Sequence, residues 1–114
     1  MLILPIKKKW YDMIKSGEKK EEYREIKKYW TIRFNNELDK MINSIVPSDV
    51  ENDLLKYCIW MKVYLKNGYK KDAPILECKC KLKIGTGKEE WGAIPGKEYY
   101  VLEILEKKEK WEKW

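Results

Sequence analysis

Residues 75–84 read Ile75-Leu76-Glu77-Cys78-Lys79-Cys80-Lys81-Leu82-Lys83-Ile84, and this stretch decides the fold class. Leu76, Cys78, Cys80, Leu82 and Ile84 fall on one face, with Glu77, Lys79, Lys81 and Lys83 on the other. That period-two alternation is the signature of a half-buried strand. Upstream, Asn67-Gly68 marks a turn, and residues 58–65 repeat the pattern with Ile59, Met61, Val63 and Leu65 on one side. Downstream, a glycine-containing loop from Gly85 to Gly96 leads to a last strand at Tyr99 to Leu105. Met1 to Ile6 is apolar enough for a short strand ending at Pro5, and residues 20–25 read as a polar strand.

Two helices interrupt the strands. Ile6, Trp10, Met13 and Ile14 recur at helical spacing, with Lys7, Lys8, Lys9 and Lys15 opposite, and Gly17 sits where a left-handed residue ends a helix. Ile26, Trp30, Phe34 and Leu38 recur at intervals of four and predict a second. Ser48 and Glu51 form a capping box behind Pro47, which suggests a short third helix through Leu54 and Leu55. The tail over residues 106–114 reads as a frayed helix, with Trp111 and Trp114 lacking an obvious place in the core. The sum is α+β, about five strands with two or three helices and no βαβ rhythm. A small closed barrel plugged at one end by helices fits that inventory.

Length and composition bound the rest. A chain of 114 residues forms one domain, here spanning 1–114, and needs neither disulfide nor metal to stay folded. No apolar run reaches the length of a membrane span, and the order of charge and apolar residues at the N-terminus is not that of a signal peptide, so a cytoplasmic location without a membrane partner is expected. Cys58, Cys78 and Cys80 cannot all pair within one chain, which fits a reducing compartment. There is no histidine, which excludes histidine-dependent triads and His-liganded metals. With three sulfur ligands at most, no metal and no cofactor is expected, and Cys78 and Cys80 are better read as small buried apolar residues.

A net charge of +6 favours anionic partners, although a lysine-rich surface also serves solubility. Only two of the 25 basic residues are arginine, Arg24 and Arg33. Where lysine supplies nearly every positive charge, an arginine marks either a place that needs a planar fork for phosphate or carboxylate, or a structural ion pair.

The densest polar constellation is Gly17-Glu18-Lys19-Lys20-Glu21-Glu22-Tyr23-Arg24. On a strand, Glu22 and Arg24 share a face, and Lys19, at the helix-to-strand turn, can lean toward the same opening. Arg24 would lower the proton affinity of Lys19, and a lysine so placed can bind phosphate or act as a base. The plain alternative is a solvated turn laced with weak ion pairs.

The run G-x-K-x-x-E-x-R, carried by Gly17, Lys19, Glu22 and Arg24, resembles the signature motif of the ASCH family. The surrounding text, from Lys7 to Phe34, is similar to the opening of small phage and bacterial members. Asn67-Gly68-Tyr69 and the Gly85–Gly92 loop add to the likeness, which is weakest over residues 36–57. The resemblance implies a PUA-like mixed β-barrel with a cleft lined by motif residues, and RNA, nucleotide or nucleoside as partner. Some members are hydrolases that deacetylate N4-acetylcytidine or cut RNA, which would make Lys19 and Glu22 catalytic candidates. The threonine of the amidohydrolase motif is replaced here by Glu22, and that departure removes its hydroxyl nucleophile.

Candidate ligand-binding residues are therefore Lys19, Glu22, Arg24 and Arg33, joined by Tyr69, Lys88 and Trp91. The last three offer aromatic faces and a cation between glycines, or else simply pack a hairpin connection. A protein partner engaging residues 39–57 and the tail, as in a phage-type inhibitor, is the alternative from another class.

Overall fold

The computed structural model describes residues 2–45 and 60–110. Strand β1 (Leu2–Ile6) leads to helix α1 (Lys8–Ser16), then to β2 (Glu21–Arg24) and helix α2 (Lys28–Ile45). Strands β3 (Met61–Asn67), β4 (Ile75–Thr86) and β5 (Glu98–Lys110) complete the sheet, with a 3-10 turn at Glu89–Trp91. The strand order is β1-β3-β4-β5-β2, with β1 parallel to β3 and every other pair antiparallel. The described residues form a small α+β fold with a five-stranded mixed half-barrel sheet and two α-helices.

The expected closed barrel is corrected in one respect: β1 and β2 are the sheet's edges and do not pair with each other. Both suit an edge. Pro5 lies in β1, where a missing N–H is tolerated, and β2 is four residues of mostly charged sequence. The main core lies between the sheet and the two helices, with Leu2, Leu4, Val63, Leu65, Leu76 and Leu102 meeting Tyr11 and Ile14 of α1 and Phe34 of α2. A second cluster, Tyr23, Trp91, Ala93, Tyr99 and Val101, covers the other side of the start of β5.

Several local expectations shift. Helix α2 starts at Lys28, so Ile26 is outside it and exposed, while Trp30, Phe34 and Leu38 do pack on the core. Ile84 is exposed although it continues the apolar face of β4. Asn67-Gly68 opens a longer connection through Pro74, with Gly68 at φ 90°. The expected strand at 58–65 begins at Met61, and residues 58 and 59, like the capping box at Ser48 and the tail tryptophans, lie outside the described residues.

The helical reading of residues 106–114 is overturned up to Lys110, where β5 continues as strand. Its charges pair across to β4: Glu106 with Lys79 at 3.4 Å and Lys108 with Glu77 at 2.9 Å. Cross-strand partners override the helix propensity of a Lys/Glu run. A bulge leaves Leu105 between the pairs Cys80–Ile104 and Lys79–Glu106. It places Lys107 and Glu109 opposite Cys78 and Leu76, and Glu109 takes Lys15 of α1 at 2.6 Å.

Candidate functional site

Gly17 ends α1 at φ 89°, and its N–H donates to Ile14 O. The Lys19 N–H then donates to Met13 O, and the Ile104 N–H donates to Lys20 O, so the chain turns directly into β2 beside β5. This tight exit drives the Lys19 side chain inward. Its Nζ lies 2.6 Å from Glu22 Oε1, 4.7 Å from the Trp10 ring and 5.8 Å from the Tyr23 ring. None of the Lys19 side-chain surface is exposed.

Glu22 and Arg24, two apart on β2, stand opposite Leu102 and Tyr100 of β5 and share a face. Arg24 Nη1 is 3.7 Å from Glu22 Oε2 and donates to Tyr23 O at 2.7 Å. Glu22 is 5% exposed, and its Oε2 has no hydrogen-bond partner among the described residues. Burial holds the proton affinity of Lys19 below its ordinary value, and Arg24 adds to that, against the pull of Glu22.

Above this group opens a cleft of about 930 Å³. Trp10, Trp30, Trp91, Tyr23, Tyr69 and Tyr99 line it together with Glu22, Arg24, Glu25, Lys7, Lys8 and Lys97. A concave, aromatic site with a few converging polar groups is the usual form of a small-molecule or base pocket. Lys19 is not in the lining. It sits behind Glu22, as an internal counter-ion to the one carboxylate on the cleft's floor.

The remaining sequence candidates fall in three places. Trp91 is buried in the second cluster and also forms cleft wall, whereas Lys88 lies outside it, with Nζ 4.5 Å from the Trp91 ring. Tyr69 is at the mouth, 87% exposed. Arg33 is not part of the lining; it sits over Tyr29 and Trp30, at 5.3 and 5.7 Å from their rings. The loop carrying Trp91 is drawn in by Tyr23, whose OH accepts from the Lys88 N–H at 2.9 Å and donates to Glu21. Its approach is so close that a Cβ on Gly92 (φ 97°) would lie 3.0 Å from Trp10.

Sequence reasoning missed Trp10, Trp30, Tyr23 and Tyr99 as cleft residues. Trp10 and Trp30 sit at helical spacing on apolar faces, which reads as core, and they are indeed half-buried against it. The available signal was the tryptophan count, six in 114 residues.

A second signal lay in the helix starts. Helix α1 has Lys7 at its N-cap without a side-chain cap, followed by Lys8 and Lys9, and no acid in its first turn. Helix α2 begins at Lys28, again with no acid in its first turn. Cations at the positive end of a helix dipole are unfavourable by about 0.3–1 kcal/mol each. Local rules broken in this way concentrate at functional sites. Lys7 and Lys8 at the start of α1 and Trp30 in the first turn of α2 all face the cleft, so its charged lining is basic apart from Glu22 and Glu25.

Among the described residues no three Cys, Asp or Glu side chains gather into a metal site, and no helix is long and apolar enough to cross a membrane. Cys78 and Cys80 are buried, and burial pushes the Cys78 thiol up to about 12. Set against known proteins, the chain matches no family model, no curated protein and no solved structure.

Proposed function

We propose that the protein is a nucleic-acid- or nucleotide-binding domain of the PUA-like, ASCH type, whose aromatic cleft takes a planar base and whose basic rim takes phosphate. The observation that carries this reading is the buried Glu22 carboxylate, with one oxygen that accepts no hydrogen bond among the described residues, on the floor of a cleft walled by Trp10, Trp30 and Trp91. Such an oxygen accepts a hydrogen bond from a base amine, and indole faces stack on bases. Arg24, Lys7 and Lys8 supply the charge that a phosphate requires. Lys19, with Nζ 2.6 Å from Oε1, holds the carboxylate in place. The G-x-K-x-x-E-x-R resemblance supports the same assignment. A hydrolase would need Lys19 to reach its substrate, and a side chain with no exposed surface favours binding over catalysis.

The test is a fluorescence titration with single-stranded RNA, DNA and nucleoside monophosphates. Arg24→Ala and Glu22→Gln should each weaken binding about tenfold, because each removes a charge-assisted contact, and Glu22→Gln, which leaves Lys19 buried without its counter-charge, is titrated below its lowered melting temperature. Added salt should weaken binding as well. Equal affinity of wild type and both variants for every ligand would end this reading.

A further inference from the structure

Both arginines of a chain otherwise rich in lysine converge on a single indole. Arg24 Cζ lies 5.3 Å from the Trp30 ring centre, and Arg33 Cζ lies 5.7 Å from it. Arg24 lines the cleft, whereas Arg33 does not. Trp30 therefore joins the cleft to a second surface on the first turns of α2.

That surface has the parts of a stacking platform. Tyr29 is 58% exposed, and its ring meets Trp30 edge-on, with centres 4.9 Å apart and planes at 80°. Arg33 fixes it from within the helix: Nη1 donates to Tyr29 OH at 2.9 Å, and Cζ lies 5.3 Å from the ring. Trp30 is held in turn by stacking on Phe34 at 5.7 Å. An exposed ring held in this way loses little freedom when a base covers it. Ile32, exposed three residues on in the same helix, widens the apolar surface beside it.

The charge of the patch points to the occupant. Arg33 has no carboxylate partner among the described residues, and its buried Nε has no acceptor. Lys28 is exposed at the start of the same helix, which has no acid in its first turn. An apolar surface flanked by Arg33 and Lys28, neither of which has an ion-pair partner among the described residues, and continuous with an aromatic cleft, suits a strand of alternating bases and phosphates better than it suits a protein face.

We infer that the ligand is a single-stranded nucleic acid, not a free nucleotide, with one base in the cleft and a neighbouring nucleotide stacked on Tyr29 with its phosphate on Arg33. This rests on the base-binding reading of the cleft and extends it by one subsite. In a strand the second contact becomes intramolecular, so affinity rises with length until both subsites are filled.

Dissociation constants of wild type, Tyr29→Ala, Tyr29→Phe and Arg33→Ala are to be measured with the four ribonucleoside 5′-monophosphates and with homopolymeric oligoribonucleotides of two, three and six residues. Wild type is expected to bind the trimer at least about tenfold tighter than the monophosphate. Tyr29→Ala and Arg33→Ala should lose that gain and keep wild-type affinity for the monophosphate, and Tyr29→Phe should retain it. Monophosphate binding without a length-dependent gain, or a gain indifferent to Tyr29 and Arg33, overturns the second subsite and leaves the cleft reading intact. Self-association abolished by Tyr29→Ala, without a length effect, assigns the patch to a second copy of this chain and overturns the inference. Binding of neither ligand by wild type removes both.

Discussion

At the scale of single residues the governing fact is the burial of Lys19 and Glu22 as a pair. Their 2.6 Å contact leaves 0% and 7% of the two side chains exposed. A pair so buried recovers its desolvation cost only while both charges remain. Lys19→Ala leaves the carboxylate with Arg24, at 3.7 Å, as its only paired cation among the described residues, and should cost about 3–5 kcal/mol in a urea titration. The double variant Lys19→Met/Glu22→Leu removes both charges and should recover most of that loss. A single variant as stable as wild type would mean that the carboxylate reaches water. Such a pair is weak evidence of stability but good evidence of positioning, because its geometry has few alternatives.

At the scale of elements, the loop between β4 and β5 depends on one approach. A Cβ on Gly87 would lie 2.6 Å from Tyr23 Cζ and 2.7 Å from the Ala93 Cβ, both within the second cluster. Gly87→Ala must therefore displace a buried ring, and should cost about 1–3 kcal/mol. Gly85, two residues earlier, has open space where its Cβ would stand. Thermal melts should show Gly87→Ala clearly lowered and Gly85→Ala near wild type. Equal melting temperatures would show that the loop does not press on Tyr23. The same packing holds Trp91 at the cleft wall, so the Gly87 variant is also expected to bind more weakly.

For the whole molecule, alkaline pH probes the core. Burial raises the Cys78 thiol from 9.0 to about 12, and moves Cys80, Tyr11 and Tyr23 in the same direction. Each is an acid whose folded pKa exceeds its unfolded value. The unfolded chain therefore sheds these protons first, and the stability they contribute is complete below pH 9 and declines above it. Lys19 works the other way. Its folded proton affinity is lowered, so its own contribution improves as pH rises toward 10.5. The raised acids outnumber it, and stability should fall above pH 9. Cys78→Ala should flatten that decline by up to about 1.4 kcal/mol per pH unit between 10 and 12, as read from urea midpoints. An unchanged slope would show that the thiol is not shielded.

What the sequence determined by itself were the elements whose pattern is local. The alternation of Leu76, Cys78 and Cys80 made β4 a half-buried strand, and Gly17 ended α1, because side-chain period and backbone freedom are properties of neighbouring residues. The face shared by Glu22 and Arg24 was legible for the same reason. Tertiary structure decided the rest. The Glu106–Lys110 run suits a helix or a strand equally, and it became a strand because Lys79 and Glu77 of β4 stand opposite with complementary charge. Trp10 and Trp30 occupy core positions by pattern, yet they form cleft walls because α1 leaves β1 and α2 follows β2, and the cleft is lined from both of these edge strands, which do not pair with each other. Contacts between residues far apart in the chain carry no local period, so which side chains met around Glu22 emerged only once the strands had chosen their neighbours.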